Sequence, residues 1–188
     1  VAVKRHDGEW AVLSGNQIAC ILLEHILSGR KAQGTLPDNG VVVKSIVSTT
    51  LADAIAARYG AALENVLTGF RFISEKIDAY EKSGEKTFLF GFEESYGFLA
   101  GGFSRDKDAI CAAVLAAEAC LCYAERGMTL YDALQEIYRS YGFYKEKQTS
   151  YTLEGKEGME RIARCMSGLR AAPPEMFAGV RVNVGRAG

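Results

Sequence analysis

The amino-acid sequence predicts an α/β fold, a three-layer α/β/α sandwich with a mostly parallel sheet. Three observations support this prediction. Short β-branched or aromatic runs alternate with segments of helical periodicity along the 188 residues. Several of the predicted helices begin at a capping pattern or end at a glycine. A repeated strand–helix order is typical of parallel strands that are covered by helices on both faces.

The first part of the chain predicts a hairpin, a helix and a buried strand. The segment "VAVKRHDGEW" reads as two short strands around a turn at Asp7–Gly8. Ser14 and Gln17 form a capping-box pattern ahead of a helix through roughly Leu27. After a loop rich in glycine, the β-branched segment "VVVKSIVS" (residues 41–48) predicts a buried strand.

The middle of the chain continues the alternation of helices and strands. Thr50 and Asp53 repeat the capping pattern, and the helix "LADAIAARY" is expected to end at Gly60. A weak strand near residues 64–67 precedes a helix from about Phe70 to Lys82. The aromatic segment "KTFLF" then predicts another strand.

Two further helices and a polar C-terminal segment complete the chain. The alanine-rich segment "DAICAAVLAAEACLCYAER" predicts a helix that packs against the sheet. We expect its inner face to carry Ile110, Val114, Ala117 and Leu121. Thr129 and Asp132 cap a further helix to about Ser140. We therefore predict an α/β/α domain over residues 1–145, and a linker with the beginning of another domain over residues 146–188.

Composition excludes several classes of partner. The formal net charge is -1 and the pI about 6.2, so no basic surface for nucleic acid or an anionic membrane is indicated. The longest apolar segment is interrupted by Glu118 and is too short to span a bilayer. Five cysteines without metal spacing indicate reduced, mostly buried thiols and a cytoplasmic protein. Because the chain opens at Val1 within a predicted strand, we expect a fragment of a longer protein.

The segment "FLFGFEESYGFLAGG" (residues 88–102) places two carboxylates directly after an apolar strand. Ligands of such sheets bind at the carboxyl ends of the strands. A carboxylate accepts hydrogen bonds from two neighbouring hydroxyls, and a serine both donates and accepts. Alternation along an extended loop would put Glu93 and Ser95 on one side and Glu94 on the other. This pattern suits the recognition of a sugar diol.

Two other interpretations of the acidic pair remain open from the residues alone. The carboxylates could solvate a loop and help to cap the following helix. Hydrolysis by paired carboxylates is a third interpretation, but it requires two carboxyl groups that face each other across a cleft. Adjacent residues do not supply that geometry by themselves.

Four segments carry a resemblance to a known family. "GFEESYGFLAGG", followed by "RDKDA", resembles the sugar-recognition loop in the third domain of the α-D-phosphohexomutases, the phosphoglucomutase/phosphomannomutase superfamily. "DGEWAVLSGNQIACILLEHIL" resembles the entry to that domain, and "LTGFRFISEKI" resembles its Thr-Gly segment. The tail "EGKEGMERIARCMSGLR", with its following prolines, resembles the passage into the fourth, C-terminal domain.

The resemblance implies roles for particular residues. Glu93 and Ser95 match the positions that bind the sugar hydroxyls, whereas Glu94 is expected to be structural. The other implied substrate-binding residues are Thr68 and Gly69 in a closing loop, Arg71 where a lysine is common, and Lys107 near the phosphosugar. Lys107 is the one candidate for an acid/base group or a phosphate contact. A solvated lysine at the start of a helix is the alternative for that residue.

The resemblance also implies an activity for a longer parent protein. Such an enzyme moves a phosphoryl group between C1 and C6 of glucose phosphate, using Mg²⁺ and glucose 1,6-bisphosphate. Its implied partners are the hexose phosphate and the other domains of the same chain. The sequence contains no phosphoserine loop, aspartate-rich magnesium loop or C-terminal phosphate-binding loop. We therefore expect this fragment to have no catalytic serine or metal site, to bind no cofactor, and to be inactive alone.

Two residues after the acidic pair bear on the substrate preference. Tyr96 and Gly97 stand where some bacterial members have glycine and histidine, which favours the phosphoglucomutase or phosphopentomutase branches over the phosphomannomutases. The alternatives to a phosphoglucomutase are therefore a phosphopentomutase or phosphomannomutase of the same family, or a non-catalytic sugar-binding module.

Overall fold

A computed structural model describes residues 1–146, 150–177 and 179–181, which divide into two compact units, Val1–Lys145 and Glu146–Gly188. The first unit contains strands β1 (Ala2–Lys4), β2 (Trp10–Val12), β3 (Gly40–Ser45), β4 (Ala62–Val66), β5 (Thr87–Glu93) and β6 (Gly97–Ala100). Its helices are α1 (Gly15–Ala32), α2 (Leu51–Tyr59), α3 (Phe70–Ser83), α4 (Ala109–Glu125) and α5 (Leu130–Tyr141).

The main sheet has the strand order β4-β3-β5-β6. β3 pairs in parallel with both β4 and β5, and β6 is an antiparallel strand at the edge. β1 and β2 form a separate antiparallel hairpin. The predicted α/β class with a mostly parallel sheet is confirmed. Within the described residues, no helix is long and apolar enough to cross a membrane.

Helices cover both faces of this sheet because the strands are apolar on both faces. Val41 and Val43 point towards α3 and pack with its buried residues Phe70, Ile73 and Ile77. Val42, Leu89 and Phe90 belong to the opposite cluster, which also includes buried residues of α1, α2, α4 and α5. The strand pleat thus sends successive side chains of β3 into two separate cores.

Local signals set several helix ends, with two differences from the prediction. α1 begins with the predicted capping box of Ser14 and Gln17 but runs to Ala32, past the predicted end near Leu27. The expected capping of α2 by Thr50 is wrong, since its side chain makes no capping hydrogen bond. Instead, Thr49 Oγ1 accepts a 3.1 Å hydrogen bond from Leu51 N–H.

α4 presents the opposite face to the one predicted. Ile110, Val114 and Leu121 are 79%, 64% and 68% exposed. The inner face instead carries Leu115, Ala119 and Tyr123, together with Ala112 and Ala116. Periodicity could not separate the two faces because this helix is apolar on both.

The second unit contains α6 (Gly155–Ala171) and a short antiparallel pair, β7 (Met176–Phe177) and β8 (Val180–Arg181). Almost all described residues of α6 are exposed, and Gly158 is its one buried residue. The assignment of residues 146–188 to a linker and the beginning of a further domain stays a prediction.

Candidate functional site

The acidic segment forms a tight hairpin turn between β5 and β6. β5 extends to Glu93, which pairs with Gly97 at the start of β6. The turn therefore consists of Glu94, Ser95 and Tyr96, and the extended loop expected from the sequence is replaced by this turn. Tyr96 has a left-handed backbone with φ of 66°, an uncommon conformation for a side chain of this size.

Glu93 is fixed at the carboxyl end of β5 beside the start of α3. Its side chain is buried, and Oε1 accepts a 2.8 Å hydrogen bond from Gly69 N–H. Gly69 is the residue that caps α3, with φ of 123°. A negative charge is favourable at this position because the amino end of a helix carries a partial positive charge. The Thr-Gly segment and the acidic hairpin therefore meet directly.

Gly97 brings the Glu93 carboxylate and Lys107 to one place. A Cβ atom at Gly97 would lie 3.1 Å from Lys107 Cδ and 3.2 Å from Glu93 Oε2, so both side chains pack against this glycine. Lys107 Nζ lies 5.7 Å from the ring centroid of Phe70 and 3.7 Å from Asp106 Oδ1. Glu93 Oε2 accepts no hydrogen bond from the described part of the chain, so this oxygen is available as an acceptor.

The remaining predicted site residues are exposed. Thr68 directly precedes Gly69, and Ser95 lies two residues after Glu93. Neither hydroxyl makes a hydrogen bond within the described ranges. Arg71 is exposed too, and its guanidinium carbon lies 4.5 Å from the centroid of the Phe72 ring. The structure thus places Glu93 in a hydrogen bond with Gly69 and beside Lys107 at Gly97. Arg71 makes no described contact with these residues.

Glu94 points away from Glu93 and into the protein. Its Oε2 accepts a 2.9 Å hydrogen bond from Ser45 Oγ, and Ser48 Oγ lies at 3.5 Å. Ser45 and Ser48 are buried and lie at the carboxyl end of β3. The family resemblance implied a structural role for Glu94 but not these partners, because no local pattern relates residues 49 positions apart.

The described residues do not fit a metal site. No group of three or more His, Cys, Asp or Glu side chains within these ranges could hold a metal ion. The hairpin region offers Glu93 with a lysine beside it, which suits an uncharged hydroxyl or a phosphate better than a divalent cation. No step that uses a metal can therefore be assigned to these residues.

Comparison with known proteins decides the family. Residues 14–141 match the family model described as phosphoglucomutase/phosphomannomutase, alpha/beta/alpha domain III. The chain belongs to this family. The match runs from the N-cap of α1 to the end of α5, so it includes both the Thr-Gly segment and the acidic hairpin.

Curated members of the phosphoglucomutase/phosphomannomutase family are similar over most of the chain. A phosphoglucomutase of Staphylococcus haemolyticus is 36% identical over 176 residues, which are 94% of this chain and 31% of the relative. A phosphoglucomutase of Staphylococcus aureus MRSA252 is 34% identical over 182 residues, 97% of this chain and 32% of the relative. The chain thus spans about a third of the length of these relatives.

Solved structures of family members share the fold. A Thermus thermophilus protein assigned as a phosphomannomutase superposes with a TM-score of 0.56 at 23% identity, covering 75% of this chain and 28% of that one. The open form of parafusin, a phosphoglucomutase from Paramecium, has a TM-score of 0.50 at 22% identity, covering 72% of this chain and 22% of that one. At these identities the likeness concerns the fold alone.

Proposed function

We propose that this chain is the sugar-recognition domain of a cytoplasmic phosphoglucomutase-type enzyme. The parent interconverts glucose 1-phosphate and glucose 6-phosphate by intramolecular phosphoryl transfer. The observation that carries the proposal is the buried Glu93 carboxylate, held through Oε1 by Gly69 N–H while Oε2 has no partner among the described residues. A carboxylate held in one orientation is suited to reading a pair of hydroxyls.

Each candidate residue has a role in this proposal. Glu93 Oε2 accepts a hydrogen bond from one sugar hydroxyl. The exposed Ser95 hydroxyl donates to, or accepts from, the neighbouring sugar hydroxyl. Thr68, beside Gly69, closes on the sugar from the end of β4. Lys107 offers a cation for a phosphate oxygen, or a group that exchanges a proton with a hydroxyl. Positioning is the main contribution that such a domain makes to phosphoryl transfer.

Arg71 lies against Phe72 and not against Glu93 or Lys107. Its guanidinium stacks on Phe72, so it must leave this ring to reach a substrate at Glu93. It lies in the first turn of α3, two residues after Gly69. We propose that Arg71 contacts the more distant phosphate, where a long, charged side chain with several donors is suitable.

The parent requires components that the described residues do not supply. We propose that Mg²⁺, a phosphorylated serine and glucose 1,6-bisphosphate act at other domains of the parent, and that this fragment alone is inactive. The exposed apolar residues of α4, Ile110, Val114 and Leu121, support the presence of a neighbouring domain, because a contiguous exposed apolar face usually marks an interface. The length of the relatives supports the same view.

A direct assay tests this proposal. The full-length parent is supplied with Mg²⁺ and a catalytic amount of glucose 1,6-bisphosphate, and turnover is measured on glucose 1-phosphate, mannose 1-phosphate and ribose 1-phosphate. Glu93→Gln is compared with Glu125→Gln, which alters an exposed carboxylate at the end of α4. We expect glucose turnover that falls about 100-fold or more in Glu93→Gln and not in the control.

The other outcomes separate the alternatives. Preferred turnover of ribose or mannose phosphate would assign a phosphopentomutase or a phosphomannomutase. Sugar binding without any turnover by the parent would support a non-catalytic module. If Glu93→Gln retained wild-type turnover, the hairpin would have no part in sugar recognition, and the proposed site would be wrong.

A further inference from the structure

The acidic hairpin is held from the side opposite to its candidate ligand-binding groups. Ser45 Oγ and Ser48 Oγ lie 2.7 Å apart, and both are within hydrogen-bonding distance of Glu94 Oε2. Ser45 is 0% exposed and Ser48 is 4% exposed. The two shorter contacts use both hydroxyl hydrogens: Ser48 Oγ–H donates to Ser45 Oγ, and Ser45 Oγ–H donates to Glu94 Oε2. A carboxylate oxygen bound by such a buried chain of hydroxyls has little freedom to move. We call Ser45, Ser48 and Glu94 the anchor network.

A buried lysine binds the turn that carries Ser48. Lys44 is 2% exposed, and its Nζ donates to Asn65 Oδ1 at 2.7 Å and to the Ser48 carbonyl at 3.3 Å. It also lies 3.4 Å from Asp53 Oδ2, on α2. A buried ammonium group requires such partners, so the turn that carries Ser48 is tied to β4 and α2. The anchor network is therefore linked through Lys44 of β3 to β4 and α2.

The backbone of the hairpin is held by the amino end of α1. A Cβ atom at Gly15 would lie 1.8 Å from the Glu94 carbonyl oxygen, so helix and hairpin are in direct contact. Tyr96 Oη donates a 3.2 Å hydrogen bond to the Leu13 carbonyl. The turn is thus held on two sides, while Glu93 Oε2 and the Ser95 hydroxyl accept and donate no hydrogen bond within the described ranges.

We propose that Glu94 is a positioning residue, which sets the orientation of Glu93 and Ser95 through its hydrogen bond from Ser45, itself bonded to Ser48. This inference rests on the proposed function of the hairpin in sugar recognition. It assigns opposite requirements to two adjacent glutamates. Glu93 requires its charge for the ligand, whereas Glu94 requires only an acceptor oxygen for the serine hydroxyls.

The kinetic test uses the parent enzyme and substitutions that keep or remove the acceptor. Glu94→Gln retains an acceptor oxygen, and we expect it to keep at least about a third of wild-type kcat/KM. Glu94→Ala removes it, and we expect KM for the sugar phosphate to rise about 10-fold with a smaller change in kcat. Ser45→Ala combined with Ser48→Ala is expected to reproduce Glu94→Ala, and adding Glu94→Ala to that pair should cause little further loss.

A second measurement tests the anchor network by a property that does not depend on enzyme activity. Amide hydrogen exchange of this 188-residue chain is followed over the hairpin, residues 93–97. We expect faster exchange there in Glu94→Ala and in Ser45→Ala, but not in Glu94→Gln or Glu125→Gln. Ser45→Ala removes one hydroxyl from a packed site, so it tests the anchor even if Glu94→Ala does not fold.

The two measurements distinguish failure of this inference from failure of the proposed function. Unchanged amide exchange of the hairpin in both Glu94→Ala and Ser45→Ala would reject the positioning role of Glu94, whatever the activity of the parent. A lower melting temperature in Glu94→Ala with wild-type KM and wild-type exchange would show stabilisation only, and would also overturn the inference. A wild-type parent without turnover would instead reject the proposed function, and the exchange result would still decide the anchor.

Discussion

Gly69 N–H donates a 2.8 Å hydrogen bond to Glu93 Oε1, joining the first residue before α3 to the last residue of β5. The two residues are 24 positions apart in the sequence. This bond brings the Thr-Gly segment and the acidic hairpin to one end of the sheet. One oxygen of the Glu93 carboxylate is thus bound by the protein, while the other accepts no hydrogen bond from the residues that the structure describes.

The contact between α1 and the hairpin predicts a strong effect of Gly15→Ala. A Cβ atom there would lie 1.8 Å from a backbone oxygen, so helix and hairpin must separate. We expect unfolding by urea to show a loss of roughly 2–3 kcal/mol. Gly29→Ala is the matched control on the same helix, where a Cβ atom meets nothing within 4 Å. It should stabilise the chain by about 0.5–1 kcal/mol, and equal losses in both variants would contradict the close approach.

Glu64 predicts a pH-dependent contribution to stability. Burial of this carboxyl acts to raise its pKa, but hydrogen bonds from Lys76 and Lys86 outweigh burial and lower the pKa from 4.5 to about 2. The unfolded chain therefore binds more protons than the folded chain between about pH 4.5 and pH 2. The stabilisation is fully present above this window and is lost as the pH falls through it.

The test for Glu64 compares Glu64→Gln with wild type by urea unfolding at several pH values. We expect the variant to be less stable by about 1.5 kcal/mol at pH 7, with the difference shrinking steadily below pH 4.5. Glu125→Gln should show no such trend. A difference for Glu64→Gln that stays constant down to pH 3 would contradict the assignment of the ion pairs.

The exposed face of α4 predicts a contrast between two leucines. Leu121 is 68% exposed and Leu134, on α5, is 1% exposed. In this 188-residue chain, Leu121→Ala should change the free energy of unfolding by less than about 0.5 kcal/mol. Leu134→Ala should cost about 2–5 kcal/mol, because it leaves a cavity. A large loss from Leu121→Ala, measured by thermal or urea unfolding, would restore the face predicted from periodicity.

The start of α2 predicts a difference between two adjacent threonines. Thr49 Oγ1 accepts from Leu51 N–H, whereas the Thr50 side chain makes no capping bond. Valine keeps the shape of threonine but removes the hydroxyl. We expect Thr49→Val to cost about 1 kcal/mol and Thr50→Val to be nearly neutral. The reverse order in urea midpoints would support the capping pattern that the sequence suggested.

Local patterns predicted much of the fold because they act within a few residues. The capping boxes at Ser14 and Thr129 both form, and Gly60 and Gly84 end α2 and α3 in the left-handed conformation. β-Branched residues formed β3 and aromatic residues formed β5. The end of α1 was predicted too early because Ser28 and Gly29 are weak helix formers. The helix nevertheless continues through both residues to Ala32.

The sequence by itself determined the α/β class, the order of the main strands and helices, and the motifs that place the chain in its family. Only the tertiary structure decided which face of α4 is buried, that β6 returns from the acidic turn, and that Glu94 reaches Ser45. The physical reason is the sequence separation over which each signal acts. Periodicity and capping depend on neighbours along one element, whereas these features depend on which surfaces meet after residues far apart in the chain have packed together.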